Sequence, residues 1–286
     1  MAEVATLADA ANDGGTQRDA RLYERYRTTP DVSDAWNETL DTIIAHRSVR
    51  AYLPDPVPAG TVELLVAAAQ SASTSSNLQP WSVIAVEDPA RKARLAVLAG
   101  DQRQIHEAPL FLLWLVDLNR LTRVGETLGA PVDGLRYLES ALLGAVDTSL
   151  AAQSAFVALE SIGLGACLIG GIRNKPAEVA AELGLPSNVF ALFGMTVGHP
   201  DPDRPASVKP RLPQQVVLFR ETYGADDNRP ALAAYDRRLR TFQREQRMLE
   251  RDWTEQATTR VGDAHLARSG RHQLRDILLG LGFGLE

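Results

Sequence analysis

Two short cationic segments are the residues best equipped for chemistry. His46-Arg47-Ser48-Val49-Arg50 gathers three basic side chains and a hydroxyl into five residues. Guanidinium groups with paired donors and a neutral serine hydroxyl can ligate a phosphate. The same residues also suit a solvated helix end, with arginines near the negative pole of the helix dipole. Lys209-Pro210-Arg211-Leu212-Pro213 is the second such segment. Its prolines stiffen the backbone, so both charges project from a fixed frame and lose little entropy on binding. An ordinary surface loop would carry the same residues. Two neutral segments accompany these. Residues 73–81, from Ser73 to Trp81, offer hydroxyls and amides suited to a polyol or the edge of a heterocycle, or form a plain serine-rich turn. Ile169-Gly170-Gly171 lets backbone N–H groups approach a ligand closely, or simply turns the chain at a strand end.

Other chemistries lack their residues. No G-x-G-x-x-G follows a strand, so a Rossmann dinucleotide site is not signalled. Residues 165–170 have the spacing of a phosphate-binding loop, but Gly171-Ile172 stands where Lys-Ser/Thr belongs. The five histidines (His46, His106, His199, His265, His272) form no H-E-x-x-H, and no acidic cluster suggests a metal. No G-x-S-x-G nucleophile elbow exists. The single cysteine, Cys167, excludes an intrachain disulfide and a cysteine-built zinc or iron–sulfur site, which points to the cytoplasm. It sits in an apolar stretch and reads as a buried structural thiol. Thirty basic against thirty-six acidic residues give a net charge of -6. Such a chain has no general electrostatic reason to seek nucleic acid or an anionic membrane. Of the basic residues only Lys92, Lys175 and Lys209 are lysines. With 45% hydrophobic and 23% charged residues over 286 positions, the composition is that of an ordinary globular protein with a sizeable core.

The elements that must position these segments follow from periodicity and punctuation. Residues 1–33 read as a flexible N-terminal tail with a helical stretch over 18–26, without an apolar run suited to secretion. Asp34 is expected to cap a helix with Trp36, Leu40, Ile43 and Ile44 on one face, opening a single domain over 34–286. Further helices are expected at 61–72, 91–100, 138–162 and 177–183, and strands at 82–86, 110–116, 166–169 and 190–197. The run LFLLWLV at 110–116 reads as a strand buried on both faces. The 138–162 helix is apolar around most of its circumference and must be buried on several sides, which packing against a partner subunit would achieve. Asp147 within it reads as a paired or capped core carboxylate. Residues 231–259 form a charged helical arm, most simply a salt-bridged solvated face, and 271–280 a terminal helix. Strands alternating with helices make the fold α+β or α/β.

Taken in order, IIAHRSVR, SSNLQPW, ESIGLGACLIGGIRN, LFGMTVGHP and VKPRLP resemble the FMN-dependent nitroreductase superfamily. More narrowly, they are similar to the branch of oxygen-insensitive NADPH nitroreductases and NADPH–flavin reductases. The similarity runs from about residue 38 to residue 223 and continues more weakly to the C-terminus. It implies an α+β nitroreductase-like fold, a central mostly antiparallel β-sheet flanked by helices, in a domain-swapped-type homodimer with FMN at each subunit interface. By this resemblance His46, Arg47, Ser48, Lys209 and Arg211 clamp the FMN phosphate and ribityl chain. Arg50 is implied near the pyrimidine edge, where a cation stabilises the anionic reduced flavin and raises its potential. Thr74, at a position usually held by serine, is implied to reach the ribityl chain through its hydroxyl. Gln102 matches a glutamine that hydrogen-bonds the ring edge, and Ile169, Gly170 and Gly171 match the segment whose amides face N5 and O4.

Ser76 and Asn77 are the substrate-side candidates; at Asn77 the branch usually has a larger apolar side chain. Arg271 matches a basic position near the C-terminus that contacts the NADPH phosphate or the acceptor, whereas the arginines of 237–251 match no single position. The resemblance implies that no protein nucleophile or metal is needed. NADPH (or NADH) gives hydride to N5 and leaves, and a nitroaromatic, quinone or free flavin then takes the electrons in the same pocket. A flavin-binding protein without turnover, for storage or sensing, is the competing reading. An apolar scaffold with merely superficial basic segments is a third.

Overall fold

The computed structural model describes residues 7–224 and 227–286. In chain order the helices are α1 (Leu7–Tyr26), α2 (Glu38–Ile44), α3 (Thr61–Gln70), α4 (Pro89–Leu98), α5 (Arg103–Glu107) and α6 (Asn119–Leu128), then α7 (Leu138–Ser161), α8 (Pro176–Leu183), α9 (Arg229–Glu245), α10 (Trp253–Val261), α11 (Asp263–Arg268) and α12 (Leu274–Gly280). The strands are β1 (Trp81–Val86), β2 (Leu110–Asp117), β3 (Gly165–Ile169) and β4 (Val189–Gly198). The chain divides into two compact units. One comprises Met1–Arg47 with Ser207–His265, the other Ser48–Ala206 with Leu266–Glu286. The span expected as one domain is thus shared between two units, and Met1 to Thr6 of the expected tail lie outside the described residues.

The larger unit is built on a sheet of order β1-β2-β4-β3 in which every pairing is antiparallel. β2 explains why this sheet is sandwiched. Its apolar residues alternate in direction, so Leu110, Leu112 and Trp114 join one core, while Phe111, Leu113 and Leu115 join another. The first core is closed by α3 and α7 through Leu65, Ala69, Ala155, Phe156 and Leu159. The second is closed by α4, α5 and α8 through Leu95, Ile105 and Val179. Fully burying each such large side chain contributes about 1.5–3 kcal/mol. This is the α+β fold with an antiparallel sheet flanked by helices that the sequence implies. All four strands fall where expected, within about two residues at each end. The chain end also belongs here: Phe283 is 1% exposed and stacks edge-on against Phe190 at 5.2 Å.

α7 is long and apolar enough to cross a membrane by length and composition alone. One side is nevertheless a core surface, with Gly144, Thr148, Ala151, Ala155 and Phe156 buried. A Cβ at Gly144 would meet Val116 Cγ1 at 2.5 Å, so glycine sets how close helix and strand can come. Leu138, Leu142, Val146 and Leu150 recur every four residues on α7 and stand 43–56% exposed.

In the smaller unit, the stretch expected as a tail forms α1. Arg21 forks onto Asp41 of α2, Nε to Oδ1 at 2.9 Å and Nη2 to Oδ2 at 3.2 Å, and Leu22 is buried. α2 starts later than expected: Asn37 Oδ1 accepts the Leu40 N–H at 3.0 Å, whereas Asp34 is engaged by Arg18 and caps nothing. The charged arm is two helices, not one. α9 ends at Glu245, Arg247 takes a left-handed φ of 53°, and α10 resumes at Trp253. Its buried side carries Tyr235, Leu239 and Phe242, with Tyr235 against Trp253 at 6.0 Å. Its outer side is salt-bridged, as the charge pattern suggests; Arg244 pairs with Glu250 at 2.9 Å.

Candidate functional site

In the larger unit, Ser48 to Arg50 are held along β3. The Val49 N–H donates to the Ala166 carbonyl at 2.9 Å, and Gly165 admits this contact because a Cβ there would lie 2.5 Å from Val49 Cγ2. The hydroxyl of buried Tyr52 lies 2.7 Å from both the Val49 carbonyl and Thr196 Oγ1, and burial pushes its pKa up. Arg50 is therefore carried on a fixed backbone with its guanidinium exposed, Nη1 donating to the Ser48 carbonyl at 3.3 Å. Burial also pushes the Cys167 thiol up, partly offset by the Arg50 guanidinium beside it. Cys167 is buried, as its apolar setting implies.

A second group surrounds the end of β3. After Ile169 the chain enters a tight helical turn, Gly170–Asn174. Gly171 is pressed against the end of α4, where a Cβ would sit 2.3 Å from the Ala99 carbonyl oxygen and 2.6 Å from Gln102 Nε2. Gln102 is fixed at both ends of its amide: Nε2 donates to the Ala99 carbonyl, and Oε1 accepts from Gln104 Nε2, each at 2.9 Å. Arg271 reaches the same turn, Nε donating to Asn174 Oδ1 at 2.9 Å and Nη2 to the Gly170 carbonyl at 2.6 Å. Arg173, which sequence reasoning did not single out, donates to the Leu192 carbonyl. Burial and the Arg271 charge beside it lower its pKa. From Gly170 a Cβ would point toward Arg173 Nη2 at 3.6 Å and Arg271 Nη2 at 3.8 Å. Gln102, Gly170, Gly171 and Arg271, far apart in the sequence, thus converge.

Thr74, Ser76 and Asn77 form a third group. Thr74 Oγ1 donates to Asp147 Oδ2 at 2.5 Å and accepts the Gln79 N–H at 3.0 Å, leaving one lone pair for any further donor. Asp147, 2% exposed, also accepts the Ser75 N–H at 3.3 Å, so it is the paired core carboxylate expected. Ser76, Asn77 and Gln79 have φ of 49°, 57° and 49°. Asparagine tolerates the left-handed region, which gives Asn77 a backbone reason to differ from a bulkier side chain. Both Ser76 and Asn77 are exposed.

The smaller unit contains His46, Arg47, Lys209 and Arg211. Arg47, Lys209 and Arg211 are exposed, while Pro210 between the latter two is buried and its carbonyl accepts from the Tyr235 hydroxyl at 2.9 Å. The His46 and Lys209 carbonyls are both engaged by Arg25, from the stretch read as a tail. No local pattern in the sequence marks that residue. Elsewhere in the larger unit, a groove of about 720 Å3 lined by Ile84, Leu115, Arg123, Val124, Leu128 and Leu185 includes none of the expected site residues.

Residues 43–199 match the family model described as the nitroreductase family, and residues 209–286 match its C-terminal domain. A Bacillus subtilis protein named FMN reductase (NADPH) is 39% identical over 225 residues, covering 77% of this chain and 90% of that protein. The oxygen-insensitive NADPH nitroreductase of Salmonella typhimurium is 38% identical, covering 71% of this chain and 82% of that protein. Among solved structures, NADPH:FMN oxidoreductase from Vibrio harveyi complexed with NAD+ superposes with a TM-score of 0.75 at 34% identity. That match covers 87% of this chain and all of the other.

Proposed function

The chain belongs to the nitroreductase family, and from that premise we propose that it is an FMN-dependent NAD(P)H oxidoreductase. Its acceptors are nitroaromatics, quinones or free flavin. The observation that carries this reading is the Gly170–Gly171 turn, a backbone bare of side chains, backed by Gln102 and bordered by the ends of Arg173 and Arg271. The donor set matches FMN in kind. Exposed Arg47, Lys209 and Arg211, with His46 and Ser48, suit a phosphate and polyol chain. An amide, an arginine and bare backbone suit the edge of a flat heterocycle.

FMN, when bound, supplies hydride and electron exchange with a nicotinamide donor and with an acceptor in turn. The protein's own part is orientation and electrostatics. Arg50, on a backbone fixed by the Val49 and Tyr52 contacts, would supply a cation to a bound flavin, where it would stabilise the negative charge that develops on reduction. Ile169, Gly170 and Gly171 present backbone to the reactive edge, and Gln102 is held by two hydrogen bonds in a single orientation. Thr74 offers its remaining lone pair to a ribityl hydroxyl. Ser76 and Asn77 stand on the acceptor side, and Arg271 is a cation for the nucleotide phosphate or the acceptor. The partners are small molecules and a second copy of the chain. The exposed Leu138, Leu142, Val146 and Leu150 stripe supports pairing of two α7 helices in a homodimer. We place the enzyme in the cytoplasm, in keeping with its single buried thiol.

The phosphate assignment is tested by Lys209→Ala with Arg211→Ala, which should release FMN on gel filtration at moderate salt while the fold persists by circular dichroism. A double variant that keeps its flavin contradicts the assignment.

A further inference from the structure

The helix that precedes the family matches ties together the two cationic segments of the smaller unit. Those matches begin at residues 43 and 209, so all of α1 lies outside them. Arg25, in its last turn, is only 7% exposed. Its Nε and Nη2 donate to the Ile44 carbonyl at 3.2 and 2.8 Å, Nη2 also donates to the His46 carbonyl, and Nη1 donates to the Lys209 carbonyl at 3.0 Å. In the other direction, the Arg211 N–H donates to the Arg25 carbonyl at 2.9 Å. One residue therefore grips the main chain immediately before Arg47 and at both cations of the Lys209–Arg211 pair. Guanidinium is suited to this because its donors form a rigid planar fork that can address several carbonyls at set angles.

The arrangement answers a specific difficulty. His46 and Lys209 stand 21 and 184 residues from Arg25 in the chain, and the exposed cations they accompany carry like charge. Like charges repel until an anion neutralises them. These contacts of Arg25 all go to backbone, and Arg47, Lys209 and Arg211 are exposed residues. α1 itself is secured independently, by the Arg21–Asp41 pair and by Arg27, which pairs with Glu245 at 2.7 Å and lies 5.5 Å over the Phe242 ring.

We propose that Arg25 is a positioning residue and α1 a strap that sets the spacing of the two phosphate-gripping segments before FMN arrives. This rests on the FMN reading above. The strap lowers the ordering cost of binding and so raises retention of the cofactor.

The test uses the full-length protein stripped of flavin, with FMN affinity read from quenching of flavin fluorescence. Exchange of the Arg211 amide with deuterium is read separately without flavin. Arg25→Ala should weaken FMN binding about tenfold or more, the size set by losing one or two charge-assisted hydrogen bonds, and should speed Arg211 exchange by a similar factor. Arg25→Lys, which keeps the charge but not the fork, should fall between wild type and Arg25→Ala, and it carries the comparison if Arg25→Ala does not fold. Arg21→Ala, which removes one tie of α1 but leaves the Arg27 tie and every Arg25 contact in place, should leave affinity within about twofold. Wild-type affinity in folded Arg25→Ala, or an equal loss in Arg21→Ala, overturns the strap. If the wild-type protein takes up no FMN, the FMN reading fails, and Arg211 exchange alone decides: unchanged protection in the Arg25 variants overturns the positioning role as well.

Discussion

Asp147 shows how a single buried group fixes a loop that a ligand must meet. It is 2% exposed, and its donors are the Thr74 hydroxyl and the Ser75 N–H. Replacing Thr74 by valine keeps the shape and removes one of them, which should cost about 1–3 kcal/mol of stability, whereas Thr74→Ser should retain most of it. Urea unfolding of the three proteins checks this; a valine variant as stable as wild type would show that the hydroxyl does not hold the carboxylate. At this scale the sequence displayed identities well and partnerships poorly. The cations of HRSVR and KPR stand out in the sequence as compact clusters, although a solvated helix end or a surface loop would carry the same residues. That Thr74 already spends its proton on Asp147 is a fact of helix α7, seventy-three residues away. Arg25 is the extreme case, since nothing around it in the sequence distinguishes it from the other arginines of α1.

Between α1 and α2, the Arg21 fork holds the Asp41 carboxyl below the usual carboxylate range. The folded protein thus binds that proton less tightly than the unfolded chain does. The pair should contribute its full stabilisation above about pH 4, where the unfolded carboxylate is ionised, and lose it as pH falls through the lower folded value. The stability gap between wild type and Arg21→Ala, about 1 kcal/mol or less near neutrality, should therefore close on acidification. Urea midpoints across pH 7 to 3 measure it, and a gap independent of pH would remove the ion pair from the explanation. On α7, Val146→Asp places a charge in the middle of the exposed apolar stripe. If α7 pairs two chains as proposed, it should yield a monomer in sedimentation velocity without unfolding the protein, because Val146 is 56% exposed in one chain. A variant that remains dimeric would move the interface elsewhere. The strands were legible because each is a largely apolar run, most plainly β2, which Pro109 and Asp117 frame. α1 and α6 were not. Gly14-Gly15 and Gly125 depress local helix propensity, and for α1 the deciding contacts are tertiary, through Arg21, Leu22 and Arg25.

A sheet sandwiched by helices leaves function to the segments at its margins. The end of β3, the loop before β1, the turn at Gln102 between α4 and α5, and the two cationic segments carry the residues proposed for FMN, and the proposed chemistry uses none of them as a nucleophile. A bound cofactor exchanging electrons would be visible in the absorption spectrum. The purified protein should show flavin bands that bleach on anaerobic addition of NADPH and return when nitrofurazone or a quinone is added. A colourless protein that also ignores added FMN, or flavin bands that NADPH leaves unchanged, would contradict it.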